Sequence, residues 1–375
     1  MKLGIPAETR PHETRVAATP ETVKKLTAAG HHAVIIQSGA GMASNIPDAQ
    51  YEAAGAALVA TADEVYQGAD MVLKVRGPDA QELARLRRGQ ILIGLLNPHD
   101  REGLTALAKQ GVTAFAMEAL PRISRAQNMD ALSSQANIGG YKAVILAANA
   151  YGRLMPMLMT AAGTVKAARV VVMGVGVAGL QAIATAKRLG AVVEATDVRP
   201  ETKEQVESLG AKFIEVPLTD AEKELAKGQG GYAREMGDDY RRRQAALVAE
   251  RIRQADIVIT TALIPGRPAP VLVSEEMVKS MRPGSVIVDM AVEQGGNCPL
   301  SERDRTVVKH GVTLIGISNL PALVAADASA LYARNLLNFL GLMFDAKTGE
   351  FKLNREDEII AGTLVCADGE LVKKG

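Results

Sequence analysis

A short apolar run leads into three closely spaced glycines in Arg169-Val-Val-Val-Met-Gly174-Val-Gly176-Val177-Ala178-Gly179, and Asp197 follows at the end of the next apolar run. The apolar residues at 170–173 predict a buried strand, and those at 180–189, followed by Gly190, predict a helix. A glycine-rich turn alone is weak evidence for a ligand. Between a strand and a helix, with an acidic residue about 20 positions on, the G-x-G-x-x-G spacing is typical of a dinucleotide-binding β–α–β unit.

Each glycine of this motif has a different expected task. Gly174 permits the tight turn, Gly176 lets the backbone approach a pyrophosphate, and Gly179 lets helix and strand pack closely. The first residues of the helix, among them Val177 and Ala178, offer unpaired N–H groups and the positive end of the helix dipole to phosphates. We therefore predict that this turn binds the pyrophosphate of a dinucleotide. The alternative is a tight turn in an α/β domain without a ligand.

The acidic residue at the tip of the second strand discriminates between the two nicotinamide dinucleotides. The carboxylate of Asp197 is expected to accept hydrogen bonds from the adenosine ribose hydroxyls and to repel a 2′-phosphate. NAD(H) is therefore favoured over NADP(H). Arg199, two residues further on, is in principle able to receive a 2′-phosphate, so the preference is strong without being absolute.

Composition excludes several functional classes. The chain has 375 residues, with 43 Lys and Arg against 42 Asp and Glu, so its net charge creates no field that attracts nucleic acid or acidic lipid. Its two cysteines form no ligand cluster and indicate a reducing compartment. Apolar stretches at 143–165 and 170–187 approach the length of a membrane span, but an arginine and a proline interrupt the first, and the glycine motif explains the second. We expect no transmembrane helix and no direct membrane insertion.

Strands and helices alternate in two series, which predicts an α/β fold. The apolar runs that predict strands lie at 3–5, 33–36, 71–75, 91–96, 112–117, 170–173, 192–196, 212–215, 257–261, 285–290 and 313–317. We predict two Rossmann-like, doubly wound parallel-sheet domains joined by long helices, with a ligand-binding cleft between them. The first domain comprises residues 1–128 plus 330–375, and the NAD(H)-binding domain comprises residues 140–325. Helical patterns at 130–151 and 329–344 connect the two.

A polar segment, Arg122-Ile-Ser-Arg125-Ala-Gln127-Asn-Met-Asp130-Ala-Leu-Ser133, follows the last strand of the first series. In a parallel sheet, a segment after the carboxyl end of a strand faces the ligand cleft. A nicotinamide carboxamide needs a donor and an acceptor, and Gln127 has both. Arg122 and Ser133 add donors, and Asp130 adds a charge that fixes them. The alternative, of equal weight on spacing alone, is a solvated loop whose Asp130 caps the next helix.

A long polar stretch, residues 219–244, stands where a compact domain usually has a short connection. Tyr232 and Met236 lie at helical spacing within it. They form a small apolar face that is able to close over a nucleotide or a partner. The equally weighted alternative is a plain exposed helix.

Isolated residues near predicted strand ends are weaker candidates. A basic pair such as Arg15 and Lys74 is able to hold a carboxylate substrate, although most such charges are solvated or paired. His99 follows a strand of the first series, and Glu293 follows one of the second. The sequence contains no metal-ligand spacing and no nucleophile–base motif, so we expect no metal site.

Four long and unusual strings stand out along the chain. They are Arg122-Ile-Ser-Arg-Ala-Gln-Asn-Met-Asp-Ala-Leu-Ser133, Met173-Gly-Val-Gly-Val-Ala-Gly-Leu-Gln-Ala-Ile-Ala-Thr-Ala-Lys-Arg188, Gly230-Gly-Tyr-Ala-Arg-Glu-Met236 and Thr260-Thr-Ala-Leu-Ile-Pro-Gly266. Through these strings the chain resembles, over its whole length, the NAD(H)-binding component of proton-translocating nicotinamide nucleotide transhydrogenases.

The resemblance implies direct hydride transfer from NADH bound here to NADP⁺ on a separate NADP(H)-binding subunit, coupled to proton movement through a membrane-spanning subunit. It implies a homodimer held on the cytoplasmic face of the inner membrane through partner subunits. The residues that it places in the loop beside the nicotinamide are Arg122, Gln127, Asp130 and Ser133. The residues that it places on a mobile loop closing over the site are Tyr232 and Met236.

Alanine dehydrogenase is a sister family with the same two-domain fold, and it is the second hypothesis. Arg15 and Lys74 match the residues that hold pyruvate in that family. Its catalytic histidine has no clear counterpart, since His99 is displaced by a few positions, and Glu293 stands where those enzymes carry an aspartate. A third, non-enzymatic hypothesis is an NAD-sensing module that binds NADH without turnover.

Overall fold

The computed structural model describes residues 1–28, 30–199, 201–217, 238–345 and 347–372. Contacts divide the chain into two compact units, Met1–Gln135 with Pro321–Gly375, and Ala136–Leu320. The domain limits expected from sequence, 1–128 plus 330–375 and 140–325, stay a prediction. None of the described helices is both long enough and apolar enough to cross a membrane.

The N-terminal portion of the chain alternates short strands and helices. The strands are β1 (Lys2–Ile5), β2 (Ala33–Gln37), β3 (Ala57–Val59), β4 (Met71–Arg76), β5 (Ile91–Leu95) and β6 (Thr113–Ala116). The helices are α1 (Pro20–Thr27), α2 (Asp48–Ala53), α3 (Ala62–Gly68), α4 (Ala80–Arg85), α5 (Arg101–Gln110) and α6 (Ala131–Ala150). Thr19, Thr61 and Asp79 begin α1, α3 and α4 with capping boxes, which satisfy backbone N–H groups of the first turn.

A second series follows α6. Its strands are β7 (Leu158–Thr160), β8 (Gly163–Val165), β9 (Arg169–Met173), β10 (Val192–Thr196), β11 (Lys212–Phe213), β12 (Ile257–Thr260), β13 (Val286–Asp289), β14 (Arg305–Lys309) and β15 (Val312–Gly316). Its helices are α7 (Val177–Arg188), α8 (Thr202–Ser208), α9 (Asp238–Gln254) and α10 (Glu275–Ser280). Strand β11 is shorter than the run expected at 212–215.

The end of the chain returns to the first unit. It forms α11 (Ala325–Leu340), α12 (Glu358–Thr363), β16 (Leu364–Ala367) and β17 (Glu370–Leu371). Helix α11 begins four residues before the pattern expected at 329–344. Asp368 and Gly369, between β16 and β17, both have positive φ, as a two-residue hairpin turn requires.

Both large sheets share one strand order. Among the described residues, the first sheet runs β17-β16-β6-β5-β4-β1-β2-β3 and the second β11-β10-β9-β12-β13-β15-β14. Strands β1 to β6 pair in parallel in the order 3-2-1-4-5-6, and the strands from β9 to β15 other than β14 repeat that order. This is the doubly wound order of nucleotide-binding α/β folds, and it confirms the predicted fold class. The order reverses between β1 and β4 and between β9 and β12.

The central strands are buried on both faces. In β9, Val170 and Val172 pack into one apolar cluster, and Val171 and Met173 pack into another. Alternate residues of β4 divide in the same way between two clusters of the first unit. Parallel strands covered by helices on both sides read as continuous apolar runs, which is why the sequence located them.

Candidate functional site

The glycine motif forms the turn between β9 and α7, at the switch point of the second sheet. Gly174 has a φ of 96° and turns the chain after the strand. Gly176 is the N-cap of α7 with extended backbone, and the helix begins at Val177, three residues earlier than predicted. Glycine at the N-cap supplies no side-chain acceptor, so the N–H groups of Val177 and Ala178 point out of the helix end without a cap. That is the geometry with which helix N-termini bind phosphate.

The three glycines are required for different spatial reasons. A Cβ on Gly179 would lie 1.9 Å from the carbonyl oxygen of Gly174, and one on Gly174 would lie 2.5 Å from Thr261 Oγ1. A Cβ on Gly176 would meet no atom within 4 Å. The first and third glycines therefore permit packing within the protein. The middle glycine borders open space, as expected for the position nearest a pyrophosphate.

Asp197 lies directly beside this turn. Its Oδ2 accepts a hydrogen bond from the Val175 N–H at 2.7 Å, and its Oδ1 accepts one from the Arg199 N–H at 2.9 Å. The Arg199 guanidinium also binds both oxygens, at 3.0 and 3.1 Å. Burial by itself would raise the pKa of the Asp197 carboxyl, but hydrogen bonds from Arg199 and Val175 outweigh it and hold the pKa below its ordinary value. Asp197 is therefore an ionised acceptor at the place predicted for a ribose.

The sequence did not predict a network of hydrogen bonds around Asp289 and Asn297 that supports the turn. The buried carboxylate of Asp289, at the end of β13, accepts backbone N–H groups from Ala291, Asn297 and Cys298. Asn297 in turn accepts the Ala262 N–H at 3.1 Å and donates to the carbonyl oxygens of Ala262 and Pro270. Thr261 Oγ1 donates to the Gly174 carbonyl oxygen at 3.0 Å. The sequence feature that indicates this network is the asparagine within Gly295-Gly-Asn297-Cys298, because an asparagine side chain after a strand often forms hydrogen bonds to the backbone of a loop.

The segment 122–133 is anchored to the first unit by some of its side chains. Arg125 makes a bidentate ion pair with Asp357, at 2.7 and 3.0 Å. The carbonyl oxygen of Asn128 accepts hydrogen bonds from the side-chain amides of Asn335 and Asn338, both on α11. The buried side chains of Ala126 and Met129 pack in the core. A 3₁₀ helix, Ser124–Met129, is thereby fixed on the surface.

The predicted contact residues of this segment fall into two pairs. Arg122 and Gln127 are exposed, and neither side chain has a hydrogen-bond partner among the residues that the structure describes. Asp130 accepts hydrogen bonds from the Ser133 N–H at 2.8 Å and from Ser133 Oγ at 2.5 Å. Asp130 therefore caps α6, as the alternative interpretation held. Arg122 and Gln127 remain available to a ligand. Asp130 and Ser133 instead order the N-terminal end of α6.

The corresponding switch point of the first sheet is filled by charge. Lys74 on β4 contacts Glu82 at 2.6 Å and Glu8 at 3.3 Å, and all three side chains are at most 2% exposed. Burial raises the pKa of Glu8, and Lys74 offsets this only in part. Arg15 pairs with Glu13 at 2.7 Å and donates to the Gln135 amide oxygen at 2.8 Å. Both cations are already partnered inside the protein.

The remaining candidates lie elsewhere. His99 is exposed in the turn before α5, and its N–H lies 3.4 Å from Asn97 Oδ1. Glu293 is half-exposed and lies 3.5 Å from Arg303. Tyr232 and Met236 fall outside the described residues. The structure thus brings together 174–179, Asp197 and Arg199 in the second unit. In the first unit it joins Asp130 to Ser133, while Arg122 and Gln127 are exposed on the same segment.

Two family models match nearly the whole chain. The model for the N-terminal domain of alanine dehydrogenase/PNT matches residues 4–139, and the model for the C-terminal domain matches residues 143–374. The chain belongs to the alanine dehydrogenase/PNT family. This confirms the relationship that the four strings indicated.

Within this family, the chain is more similar to transhydrogenases than to alanine dehydrogenases. It is 55% identical to the first portion of NAD(P) transhydrogenase subunit alpha of Rhodospirillum rubrum over 380 residues, which cover 99% of this chain and 98% of the relative. A solved transhydrogenase structure from Sinorhizobium meliloti is 51% identical, with a TM-score of 0.89 over 99% of this chain and 100% of that one. Alanine dehydrogenase of Mycobacterium tuberculosis is 36% identical, covering 86% of this chain and 82% of the relative.

Two glycine variants separate packing from binding. We expect Gly179→Ala to lower the free energy of unfolding by ~2–3 kcal/mol or more, because the new methyl overlaps the Gly174 carbonyl oxygen. Gly176→Ala changes stability by less than ~1 kcal/mol, since its backbone is extended and unstrained, but it weakens NADH binding about tenfold or more. Urea denaturation and NADH titration measure the two effects. Equal losses of stability in both variants would contradict this division of tasks.

A lysine variant tests whether the first switch point is an internal ion-pair cluster. Lys74→Met leaves buried Glu8 and Glu82 without a counter-charge and should cost ~3–5 kcal/mol. The matched control Lys25→Met breaks an exposed pair and should cost less than ~1 kcal/mol. The loss in Lys74→Met should shrink as the pH falls, because burial raises the pKa of the Glu8 carboxyl and a protonated carboxyl needs no counter-charge. A stable variant with a flat pH profile would show that Lys74 is not required there.

Proposed function

We propose that this chain is the NAD(H)-binding component of a proton-translocating transhydrogenase. The observation that carries the proposal is its 55% identity, over 99% of the chain, to the first portion of a transhydrogenase subunit alpha. The site geometry supports it, because the open position at Gly176, the uncapped end of α7 and the ionised Asp197 together match the pyrophosphate and the adenosine ribose of a dinucleotide.

Each group of the site has a proposed role. The N-terminus of α7 holds the pyrophosphate, with N–H groups from Val177 and Ala178, and Asp197 accepts the adenosine ribose hydroxyls. The exposed Gln127 and Arg122 bind the nicotinamide carboxamide of NADH. The pair of Asp130 and Ser133 fixes the end of α6 beside them. From the family resemblance, Tyr232 and Met236 belong to a loop that covers the nucleotide.

Bound NADH supplies a hydride that passes directly to NADP⁺ on a partner subunit. A hydride leaving one dihydronicotinamide ring and reaching another ring moves no proton on either, so the reaction needs no acid or base. The protein contributes position, bringing the two C4 atoms to roughly 3–3.5 Å. A segment anchored by Arg125 and Asn128, with exposed Arg122 and Gln127, is suited to hold one ring in place.

Alanine dehydrogenase is the weaker assignment. Its reaction requires a positioned base for the amine and a free cation for the substrate carboxylate. Here Lys74 contacts two buried glutamates, Arg15 contacts Glu13 and Gln135, and His99 is exposed in a surface turn. Neither cation is available without breaking a buried ion pair.

The partners follow from the same assignment. The Rhodospirillum rubrum relative is named as a portion of a subunit alpha, which indicates a multi-subunit enzyme. We propose an NADP(H)-binding subunit that accepts the hydride and a membrane-spanning subunit that conducts protons, with this chain held on the cytoplasmic face of the inner membrane through them. Proton coupling then passes through the partners.

We also propose that the chain forms a homodimer. The isolated hairpin of β7 and β8 supports this, because Met157 and Met159 beside and within it are 61% and 70% exposed. A two-stranded hairpin is marginal alone, and exposed apolar side chains of this size favour a partner surface. Sedimentation equilibrium should give twice the 39.5 kDa chain mass, and Met159→Glu should shift it toward a single chain. The exposed Val308→Glu, on strand β14, is the matched control.

Hydride transfer from NADH tests the assignment directly. The purified chain is mixed with NADH and a nicotinamide analogue acceptor, alone and then with an NADP(H)-binding subunit. We expect turnover only with the partner, and Gln127→Asn should slow single-turnover transfer about tenfold, or ~1.4 kcal/mol, while leaving NADH affinity nearly unchanged. The exposed Gln81→Asn, in the same unit, is the control and should behave as the wild type.

Three results would count against this assignment. Turnover without the partner subunit would contradict the proposal that this chain binds only one of the two reacting nucleotides. Reduction of pyruvate with ammonia by NADH, without transfer to the partner, would move the chain to the alanine dehydrogenases. NADH binding with neither reaction would favour the NAD-sensing module.

A further inference from the structure

The acceptor capacity of Asp197 is fully used within the protein. A carboxylate has about four lone-pair positions. In Asp197, Oδ1 accepts the Arg199 N–H and Nε, and Oδ2 accepts the Val175 N–H and Arg199 Nη2, all between 2.7 and 3.1 Å. A ribose whose two hydroxyls donate to this carboxylate must therefore displace existing donors.

The four donors differ in how easily they leave. The two N–H groups belong to the backbone, one from Val175 in the turn after β9 and one from Arg199 in the loop after β10, and they fix the orientation of the carboxylate. The other two belong to the Arg199 side chain, which is 50% exposed, whereas the Asp197 side chain is 7% exposed. A half-exposed guanidinium on a flexible stem moves into water at modest cost. The side chain of Arg199 is thus the donor that a ribose would replace.

We propose that Arg199 is a specificity- and affinity-determining residue of the nucleotide site, whose side chain competes with the adenosine ribose for Asp197. This inference rests on the proposed function, in which Asp197 accepts the ribose of NAD(H). The competition lowers NADH affinity, which favours exchange of the nucleotide in each catalytic cycle. Release of bound nucleotide often limits turnover in enzymes, so a weakened site has a kinetic use.

Charge makes the effect of Arg199 opposite for the two dinucleotides. Paired with Arg199, Asp197 presents no net charge, so it repels a 2′-phosphate less than an unpaired carboxylate does. A displaced Arg199 also stays close enough to contact such a phosphate. Removal of the guanidinium should therefore strengthen NADH binding and weaken NADPH binding. A residue that only braces the turn, for example through the hydrogen bond from Arg199 Nη2 to the Val175 carbonyl oxygen, would weaken both.

The test compares Arg199→Ala with the wild type by titrating NADH, NADPH and reduced nicotinamide mononucleotide. We expect the Kd for NADH to fall about fivefold and the Kd for NADPH to rise by a similar factor. The mononucleotide lacks the adenosine ribose, so its Kd should not change. Arg199→Lys keeps the charge without the planar fork, and it should retain NADPH binding while tightening NADH binding less than Arg199→Ala does.

The matched control is Arg253→Ala, which removes an exposed arginine paired with Glu250 in the same unit and should leave all three constants unchanged. Thermal denaturation of each variant checks folding. Equal weakening of NADH and NADPH, or no change in Arg199→Ala with normal wild-type NADH binding, overturns this inference alone. Absence of NADH binding in the wild type overturns the proposed function as well.

Discussion

The approach of Gly179 to the carbonyl oxygen of Gly174 is the constraint on which the nucleotide unit depends. With 1.9 Å between that oxygen and the position of a Cβ, only glycine lets α7 start so close to the end of β9. The close start directs the uncapped N–H groups of the helix into the space beside Gly176. It also brings Val175 within 2.7 Å of Asp197. The proposed phosphate and ribose sites are therefore consequences of one backbone contact.

The two sheets show how one topology yields different chemistry. Both have the strand order whose reversal leaves a crevice at the carboxyl ends of the strands. In the second unit, glycines border that crevice. In the first unit it is filled by buried charge, because the ammonium of Lys74 contacts the carboxylates of both Glu8 and Glu82. Buried charges are tolerable only when each has a partner of opposite sign. Lys74 would suit a carboxylate ligand, but here its partners are carboxylates of the protein itself.

Sequence predicted the features that depend on local pattern. The glycine motif and the buried parallel strands each follow from neighbouring residues. Short edge elements were missed, because three residues in β3 or in β7 carry too little periodicity to be recognised. Hydrogen bonds and ion pairs between residues distant in sequence were missed for a different reason. Asn297 binds Ala262, 35 positions away, and Arg125 binds Asp357 across 232 positions, and no local pattern encodes either pairing. The assigned roles at the site stay predictions.

The conformation of the Arg199 side chain decides whether the acidic residue of the Rossmann motif, Asp197, is a free acceptor or one that is already occupied. Sequence identifies Asp197 as an acceptor, yet it gives no rotamer for Arg199, and the rotamer decides whether the acceptor is free or internally occupied. An acceptor that is already satisfied binds ribose by exchange of hydrogen bonds, so the net gain is small even when the contacts in the complex are good. A site that must release its nucleotide in every catalytic cycle releases it faster when binding is such an exchange than when the acceptor has no prior partner.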